Sequence, residues 1–220
     1  MTKKANLLFI VLLSVTISFI AFTYSFGDMK VFLKDGRIVN VPLNKNDILS
    51  ISFEEEVIQS EGGINWNFES GNLVGWRSTG DVFNTQPTYG DNPTARHRGQ
   101  PSHHEGEYWI GGYENRSTQF DPPGRVQGDG PQGTLTSEPF TITRPTISFL
   151  IGGGCDIGTE RVELLIDGQV VLQATGKCTE TMERLRWNVS QYIGRTAQIR
   201  VIDASGGGWG HINFDDLKLE

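Results

Sequence analysis

The chain has 220 residues, and its 26 acidic and 19 basic side chains give a formal net charge of −7. This balance argues against a nucleic-acid partner, because phosphate binding needs clustered Lys and Arg. The 27 glycines and the lack of long runs of helix-forming residues favour a turn-rich all-β protein.

The N-terminal segment has the features of an export signal. Lys3 and Lys4 precede an apolar run at 7–22, and the small residues Ser25 and Gly27 follow it. This order is typical of a secretory signal peptide. An uncleaved membrane anchor remains the alternative, because the run approaches the length of a spanning helix. We therefore predict a secreted, periplasmic or cell-surface protein, with a membrane contact only if the segment is retained.

The next segment predicts a small β unit. Val31 and Leu33 alternate with polar residues, and the dipeptide at 35–36 is Asp-Gly, which favours a two-residue hairpin turn. Val39 and Val41 continue the period of two on the returning strand, and residues 49–53 predict a third strand. An acidic, glycine-containing linker separates this unit from the remainder of the chain.

The main domain is predicted to consist of short strands separated by turns. A first strand is placed within Trp66–Trp76, and a short strand near 81–83 interrupts long polar loops. Asp167-Gly168 predicts a second hairpin, and residues 190–194 predict one helical turn. The further strand candidates are 108–112, 133–142, 146–152, 161–166, 169–174, 182–189, 197–203 and 211–219. This spacing indicates a β-sandwich or jelly roll.

The chain has two cysteines, Cys155 and Cys178. In an exported protein an even pair favours a disulfide, whereas two free buried thiols would be the expectation for a cytosolic protein. No pair of histidines with zinc-ligand spacing accompanies them. We therefore predict a Cys155–Cys178 disulfide.

Four sequence strings resemble those of a known family, and they cover 133–142, 147–154, 162–168 and 209–216. They are similar to the jelly-roll modules, of galactose-binding-like or carbohydrate-binding-module type, that accompany levanase-type fructan hydrolases. The resemblance extends from Trp66 to Glu220. It implies a non-catalytic module that binds a polysaccharide or other glycan. The N-terminal unit lies outside the match, and the cysteine pair departs from the usual pattern.

The predicted organisation is a signal peptide at 1–27, a small β-hairpin unit at 28–53, a linker at 54–64 and a jelly-roll β-sandwich at 65–220.

The resemblance also implies one structural calcium ion between the first and last strands. Glu69 in the first strand and Asp215 or Asp216 in the last supply the hard oxygen ligands that calcium prefers. The alternative is a solvated acidic edge that discourages edge-to-edge pairing of strands.

Aromatic residues in loops are candidates for sugar contacts, because sugar rings stack on exposed aromatic faces. Trp209 and His211 flank Gly210 in a glycine-rich loop, and Trp109 and Tyr113 lie beside the loop rich in His and Arg. The alternative for each aromatic residue is a packed anchor. The other tryptophans, Trp66, Trp76 and Trp187, are assigned to the core.

No catalytic motif stands out. The run Arg96-His-Arg98 with His103-His-Glu105 follows no closed metal-site spacing and is interpreted as a polar surface loop. Nucleophile elbows and phosphate loops are missing from the sequence. The leading hypothesis is a secreted glycan-binding module. The alternatives are a structural or adhesive surface module and, with less support, a stand-alone glycoside hydrolase.

Overall fold

The computed structural model describes residues 63–220 and two short strands nearer the N-terminus, β1 (Asp28–Phe32) and β2 (Ile38–Pro42). These two strands pair antiparallel, with Asp28 opposite Pro42 and Phe32 opposite Ile38. They belong to a compact unit that is separate from the rest of the chain. The predicted signal segment, the third strand of this unit and most of the linker lie outside the described residues.

The second unit is almost entirely β-structure. One short helix, α1 (Asn92–Ala95), and one 3-10 helix (Ser190–Tyr192) interrupt its strands. The strands are β3 (Trp76–Gly80), β4 (Thr88–Tyr89), β5 (Tyr108–Gly111), β6 (Gly133–Ser137), β7 (Phe140–Thr141), β8 (Thr146–Gly153), β9 (Glu160–Ile166), β10 (Gln169–Ala174), β11 (Thr179–Asn188), β12 (Thr196–Asp203) and β13 (Ile212–Leu219). In the described part of the chain, no helix is long and apolar enough to cross a membrane.

The strands form two antiparallel sheets. The first sheet has the order β10-β9-β12-β6-β3, with β7 also paired to β12. The second sheet has the order β11-β8-β13-β5-β4. The predicted all-β sandwich is therefore confirmed, as are the hairpin at Asp167-Gly168 and the helical turn that begins at Ser190.

Alternation along the strands places the core between the two sheets. In β8 of the second sheet, Ile147, Phe149 and Ile151 are buried in the main hydrophobic cluster. Leu164 of β9 and Ile199 of β12, in the first sheet, belong to the same cluster. Side chains two residues apart share one face of a strand, so these residues pack face to face.

The outer face of the second sheet carries a smaller apolar cluster, made of Trp109, Leu150 and Met182. Leu150 lies between two inward-facing residues of β8, so its side chain points away from the main core. Residues 90–107, here called the covering segment, pack over this face. The His104 ring of that segment stacks on the Trp109 ring, with the centroids 5.9 Å apart, and the N–H of Met182 donates to the carbonyl of Ser102 at 2.9 Å. The sheet therefore has a covered outer surface at this end.

The predicted first strand within Trp66–Trp76 is wrong. This segment forms turns, because Phe68, Gly71 and Gly75 all adopt positive φ. A Cβ at Gly75 would lie 2.6 Å from the Cα of Ile64, so only glycine fits there. The first strand of the sandwich begins at Trp76, and the strand predicted near 81–83 is absent from this described region.

The first and last strands of the sandwich are not neighbours. Strand β3 lies in the first sheet and β13 in the second. The turn segment reaches β13 instead, because the N–H of Leu217 donates to the carbonyl of Trp66 at 3.2 Å. Trp76 and Trp187 are buried in the core as predicted, and Trp66 packs half-buried against it.

Candidate functional site

One end of the sandwich holds a group of charged side chains, here called the polar cluster: Arg96, Glu114, Asp129, Glu180 and His211. Arg96 follows α1, Glu114 follows β5, Asp129 precedes β6, Glu180 lies in β11 and His211 precedes β13. The fold thus brings together five distant parts of the chain. Charged residues are seldom this buried without partners, so the contacts within the group decide what it can do.

Glu180 is the centre of the polar cluster. Its side chain is 2% exposed, and its Oε1 accepts from Nη2 of Arg96 at 2.6 Å. Its Oε2 lies 3.3 Å from Nε2 of His211, whose Nδ1 lies 2.7 Å from Oδ1 of Asp129. Arg96 also donates to Oε1 of Glu114 at 3.0 Å. The cluster is therefore a continuous chain of charge-assisted hydrogen bonds.

The pKa values show how the charged groups of the cluster stabilise one another. Burial alone would raise the pKa of Glu180, but hydrogen bonds and charges from His211 and Arg96 lower it to about 2. Burial would lower the pKa of His211, yet contacts with Glu180 and Asp129 raise it. Glu180 is consequently ionised at neutral pH, and its negative charge favours the protonated form of His211.

Two aromatic rings form an exposed rim above His211. The rings of Tyr113 and Trp209 are partly exposed, with centroids 5.2 and 5.5 Å from the imidazole. The guanidinium of Arg96 lies 4.6 Å from the Tyr113 centroid, and that of Arg98 lies 5.0 Å from the Trp209 centroid. Each ring is therefore backed by a cation.

Trp209 is held in an unusual backbone conformation within its glycine-rich loop. Its φ is 62°, a value that bulky residues rarely adopt. The loop closes tightly, because a Cβ at Gly210 would lie 2.4 Å from the carbonyl oxygen of Ser205. Such strain persists only where the surroundings determine the conformation. The loop thus fixes the position of the indole ring.

The structure brings Trp209, His211 and Tyr113 together but separates Trp109 from them. The side chain of Trp109 is fully buried, and its Nε1 donates to the carbonyl of Gly90 at 2.9 Å. A sugar cannot stack on a ring without an exposed face. The prediction that Trp109 contacts sugar is therefore corrected: the residue packs under the covering segment.

The calcium candidates Glu69 and Asp215 both accept hydrogen bonds from the backbone of residues 105–108. Oδ2 of Asp215 accepts from the N–H of Glu105 at 2.8 Å. Glu69 accepts from the N–H groups of Glu107 and Tyr108 at 2.9 Å each. Burial raises the pKa of Asp215 to about 8, and the negative charges of Asp216 and, to a smaller extent, Glu69 add to this rise. A cation at this place would oppose these effects.

The third calcium candidate, Asp216, faces other partners. Its carboxylate pairs with Arg184, and Nζ of Lys218 lies 2.6 Å from Oδ2. Two cations already compensate its charge, so Asp216 does not fit a calcium ligand. Within residues 63–220, no three His, Cys, Asp or Glu side chains converge as a metal site. Glu69 and Asp215 fit calcium only if backbone carbonyls and water supply the other ligands.

The predicted disulfide is confirmed. Cys155 and Cys178 are bonded, with their Cα atoms 5.0 Å apart. The bridge joins the loop after β8 to the residue that precedes β11, two positions before Glu180. It therefore links the adjacent ends of β8 and β11 in the second sheet, next to the polar cluster.

Sequence reasoning missed the polar cluster around His211. The run at 96–98 was interpreted as a surface loop, yet the Arg96 side chain is only 16% exposed. Period-two alternation offered one signal, because Glu180 shares a strand face with the apolar Met182. A charge on the same face as a buried apolar residue indicates a buried ion pair. Its partner is 84 positions away and has no local signature.

Comparison with known proteins gives one relative in sequence. No protein-family model matches the chain. The chain is 36% identical over 143 residues to ecdE of Aspergillus rugulosus, whose name assigns it provisionally to the glycosyl hydrolases. The match covers 65% of this chain and 18% of that protein. The chain thus spans less than a fifth of its relative.

Several solved structures are similar to this chain at low identity and low TM-score. The carbohydrate-binding module TmCBM61 in complex with beta-1,4-galactotriose has a TM-score of 0.43 and 18% identity, over 71% of this chain and 96% of that one. A cyclase from Fischerella sp. TAU has a TM-score of 0.39 and 18% identity, over 70% and 92%. The K1 adhesin domain of Lys-gingipain from Porphyromonas gingivalis W83 has a TM-score of 0.38 and 11% identity, over 70% and 96%. All three scores lie below 0.5, too low to transfer a function.

Proposed function

We propose that the sandwich binds a glycan on the rim formed by Tyr113 and Trp209. The observation that carries this proposal is the pair of partly exposed rings on either side of His211. Aromatic faces suit the C–H faces of sugars, and the fixed backbone of Trp209 reduces the entropy lost on binding. A rigid sandwich that presents such a loop is the usual setting for a binding site.

Polar groups beside the rings supply hydrogen bonds for sugar hydroxyls. The Arg98 side chain is 42% exposed, and that of Asp129 is 20% exposed. A guanidinium donates and a carboxylate accepts, so together they complement a hydroxyl pair. The name of the relative ecdE supports a role in glycan chemistry, and the disulfide is in keeping with an exported protein.

Binding without cleavage is the function that the carboxylates favour. Hydrolysis of a glycoside needs two carboxyl groups that reach the scissile bond. Glu180 is 2% exposed and Asp203, whose pKa burial raises to about 8, is 1% exposed. Both groups are enclosed, so neither meets a sugar that lies on the rim.

Replacing Trp209 with Ala should weaken polysaccharide binding by at least about tenfold, because one stacking face is lost. Affinity electrophoresis against a polysaccharide panel measures the effect. Tyr192→Ala is the control at the opposite end of the sandwich. Because this ring also packs against the core, binding is compared under conditions where both variants remain folded. A wild-type protein without any ligand, and a Trp209→Ala variant that only loses stability, would favour a structural or adhesive module.

We also propose that a calcium ion binds between Glu69 and Asp215 and fixes the end of the covering segment. Saturation at about 100 times the dissociation constant adds about 2.7 kcal/mol to stability. Chelation should therefore lower the melting temperature by roughly 5–10 °C for a domain of this size. Melting curves with and without chelator measure this change.

Single substitutions test whether the fall in melting temperature with chelator arises from this site. Glu69→Gln or Asp215→Asn should reduce the response to chelator, whereas Asp216→Asn should retain it, because Arg184 and Lys218 already hold that carboxylate. If chelator shifts the wild type and Asp215→Asn equally, the ion does not bind here.

A further inference from the structure

A second pair of buried carboxylates lies next to the polar cluster but takes no part in it. Asp203 ends β12 and Glu160 begins β9, and the two residues are paired in the first sheet. Asp203 is 1% exposed and Glu160 is 2% exposed. Burial raises the pKa of both groups, and the charge of Glu160 adds to the rise at Asp203. The pair therefore lies in one enclosed region.

These carboxylates have oxygens without partners. Among residues 63–220, neither oxygen of Asp203 and not Oε1 of Glu160 has a hydrogen-bond donor. The N–H of Ile212 opposes the rise in the pKa of Asp203 but lacks hydrogen-bond geometry with either oxygen. Leaving a buried acceptor unsatisfied costs about 1–3 kcal/mol, and more for a charge. Three such oxygens in one place call for an occupant.

The neighbouring charges compensate this pair only in part. His211 lowers the pKa of both carboxyl groups, but its two ring nitrogens already face Asp129 and Glu180. In the polar cluster and its rim, the carboxylates of Glu114, Asp129 and Glu180 already face Arg96, Arg98 and His211. If both carboxyl groups of the pair were ionised, they would add a charge of about −2 to a region of low dielectric constant. A divalent cation would neutralise it.

The chemistry of the available ligands selects the kind of cation. Both nitrogens of His211 are already engaged, so the free ligand atoms are all oxygens. Oxygen-only ligands favour calcium or magnesium over zinc and copper, and calcium tolerates irregular geometry better than magnesium. A Cβ at Gly154 would lie 2.4 Å from the carbonyl oxygen of Trp209 and 2.8 Å from Cγ of Glu160. That carbonyl and the Glu160 side chain therefore border the same side of Gly154.

We propose that Asp203 and Glu160 form a second divalent-cation site, of the calcium class, beneath the loop that carries Trp209. Backbone carbonyls and water complete the coordination, because in the described residues no three acidic, His or Cys side chains converge. The ion would tie β9 and β12 to the loop and so hold the indole ring of the rim in place. This site is distinct from the one at Glu69 and Asp215.

Calcium titration of metal-free protein by calorimetry tests the proposal, with bound equivalents counted by native mass spectrometry. The wild type should bind one calcium ion at this site. Asp203→Asn and Glu160→Gln should each weaken the affinity for that ion by at least about tenfold. In an Asp215→Asn background binding of the same ion should persist. Glu183→Gln, which changes an exposed carboxylate, is the control and should bind like the wild type.

The outcomes separate this site from the other one. The proposal is supported if Asp203→Asn loses one bound calcium ion that Asp215→Asn retains. This holds even if Glu69 and Asp215 bind no ion. Equal calcium binding by the wild type and Asp203→Asn would overturn it and would mean that the pair carries protons instead. Asn in place of Asp203 keeps the shape, and circular dichroism checks the fold. If that variant does not fold, Glu160→Gln gives the same comparison.

Discussion

Replacing Glu180 with Gln is expected to lower the free energy of unfolding by about 3–5 kcal/mol at neutral pH, which is the usual cost of breaking a buried ion pair. The Glu180 carboxylate contacts Arg96 at 2.6 Å and His211 at 3.3 Å. Glutamine has nearly the same shape but carries no charge. Both cations would therefore lose a buried counter-charge, and chemical denaturation at pH 7 measures the loss.

The effect of Glu180 should depend on pH in a defined direction. The folded-state pKa of Glu180 is lowered from 4.5 to about 2. A lowered carboxyl pKa stabilises the folded state fully above the unfolded pKa, and the contribution disappears as pH falls through the folded pKa. The difference in stability between the wild type and Glu180→Gln should therefore shrink between about pH 4.5 and pH 2.

An exposed carboxylate in the same strand provides the comparison. Glu183 is 62% exposed and pairs with Lys177. Glu183→Gln should change stability by less than about 1 kcal/mol, as surface ion pairs do. A Glu180→Gln effect that is as small as this, or that stays constant down to pH 2, would contradict a charged role for Glu180.

The strands of the sandwich were predictable because their signals are local. Alternation of Val162, Leu164 and Ile166 defines one face of β9, and the Asp167-Gly168 turn sets the register with β10. The segment 66–76 differs from the predicted strand because it forms turns. Positive φ at Phe68, which is not glycine, had no sequence signal. Long-range packing against Phe214 and Trp76 determines that turn.

The candidate site was predictable only in part. Trp209, Gly210 and His211 are adjacent in sequence, so their grouping is visible at once. Glu180 joins them through the order of strands in the second sheet, Arg96 through the covering segment and Asp129 through the loop before β6. No local pattern encodes these contacts. Trp109 shows the opposite difficulty. The sequence places it beside a polar loop, but it does not reveal that this loop folds over the sheet and buries the ring.

Replacing Trp109 with Ala is expected to cost about 3–5 kcal/mol of stability, as for other fully buried large aromatic residues. The ring packs with Leu150 and Met182 and stacks on His104 at 5.9 Å. It also lies so close to Gly111 that a Cβ there would be 2.7 Å from two ring atoms. Its removal would leave a cavity beneath the covering segment, and denaturant unfolding measures the resulting loss.

A conservative variant separates packing by Trp109 from sugar binding. Trp109→Phe keeps an aromatic ring but loses the hydrogen bond from Nε1 to Gly90, so it should cost less than Trp109→Ala. Under conditions where both variants remain folded, each should retain the affinity of the wild type for its glycan, in contrast to Trp209→Ala. If Trp109→Ala were as stable as the wild type but no longer bound the glycan, Trp109 would have to be part of the sugar site. The buried ring predicts the reverse, because a side chain with no exposed face contributes to binding only through the fold that it supports.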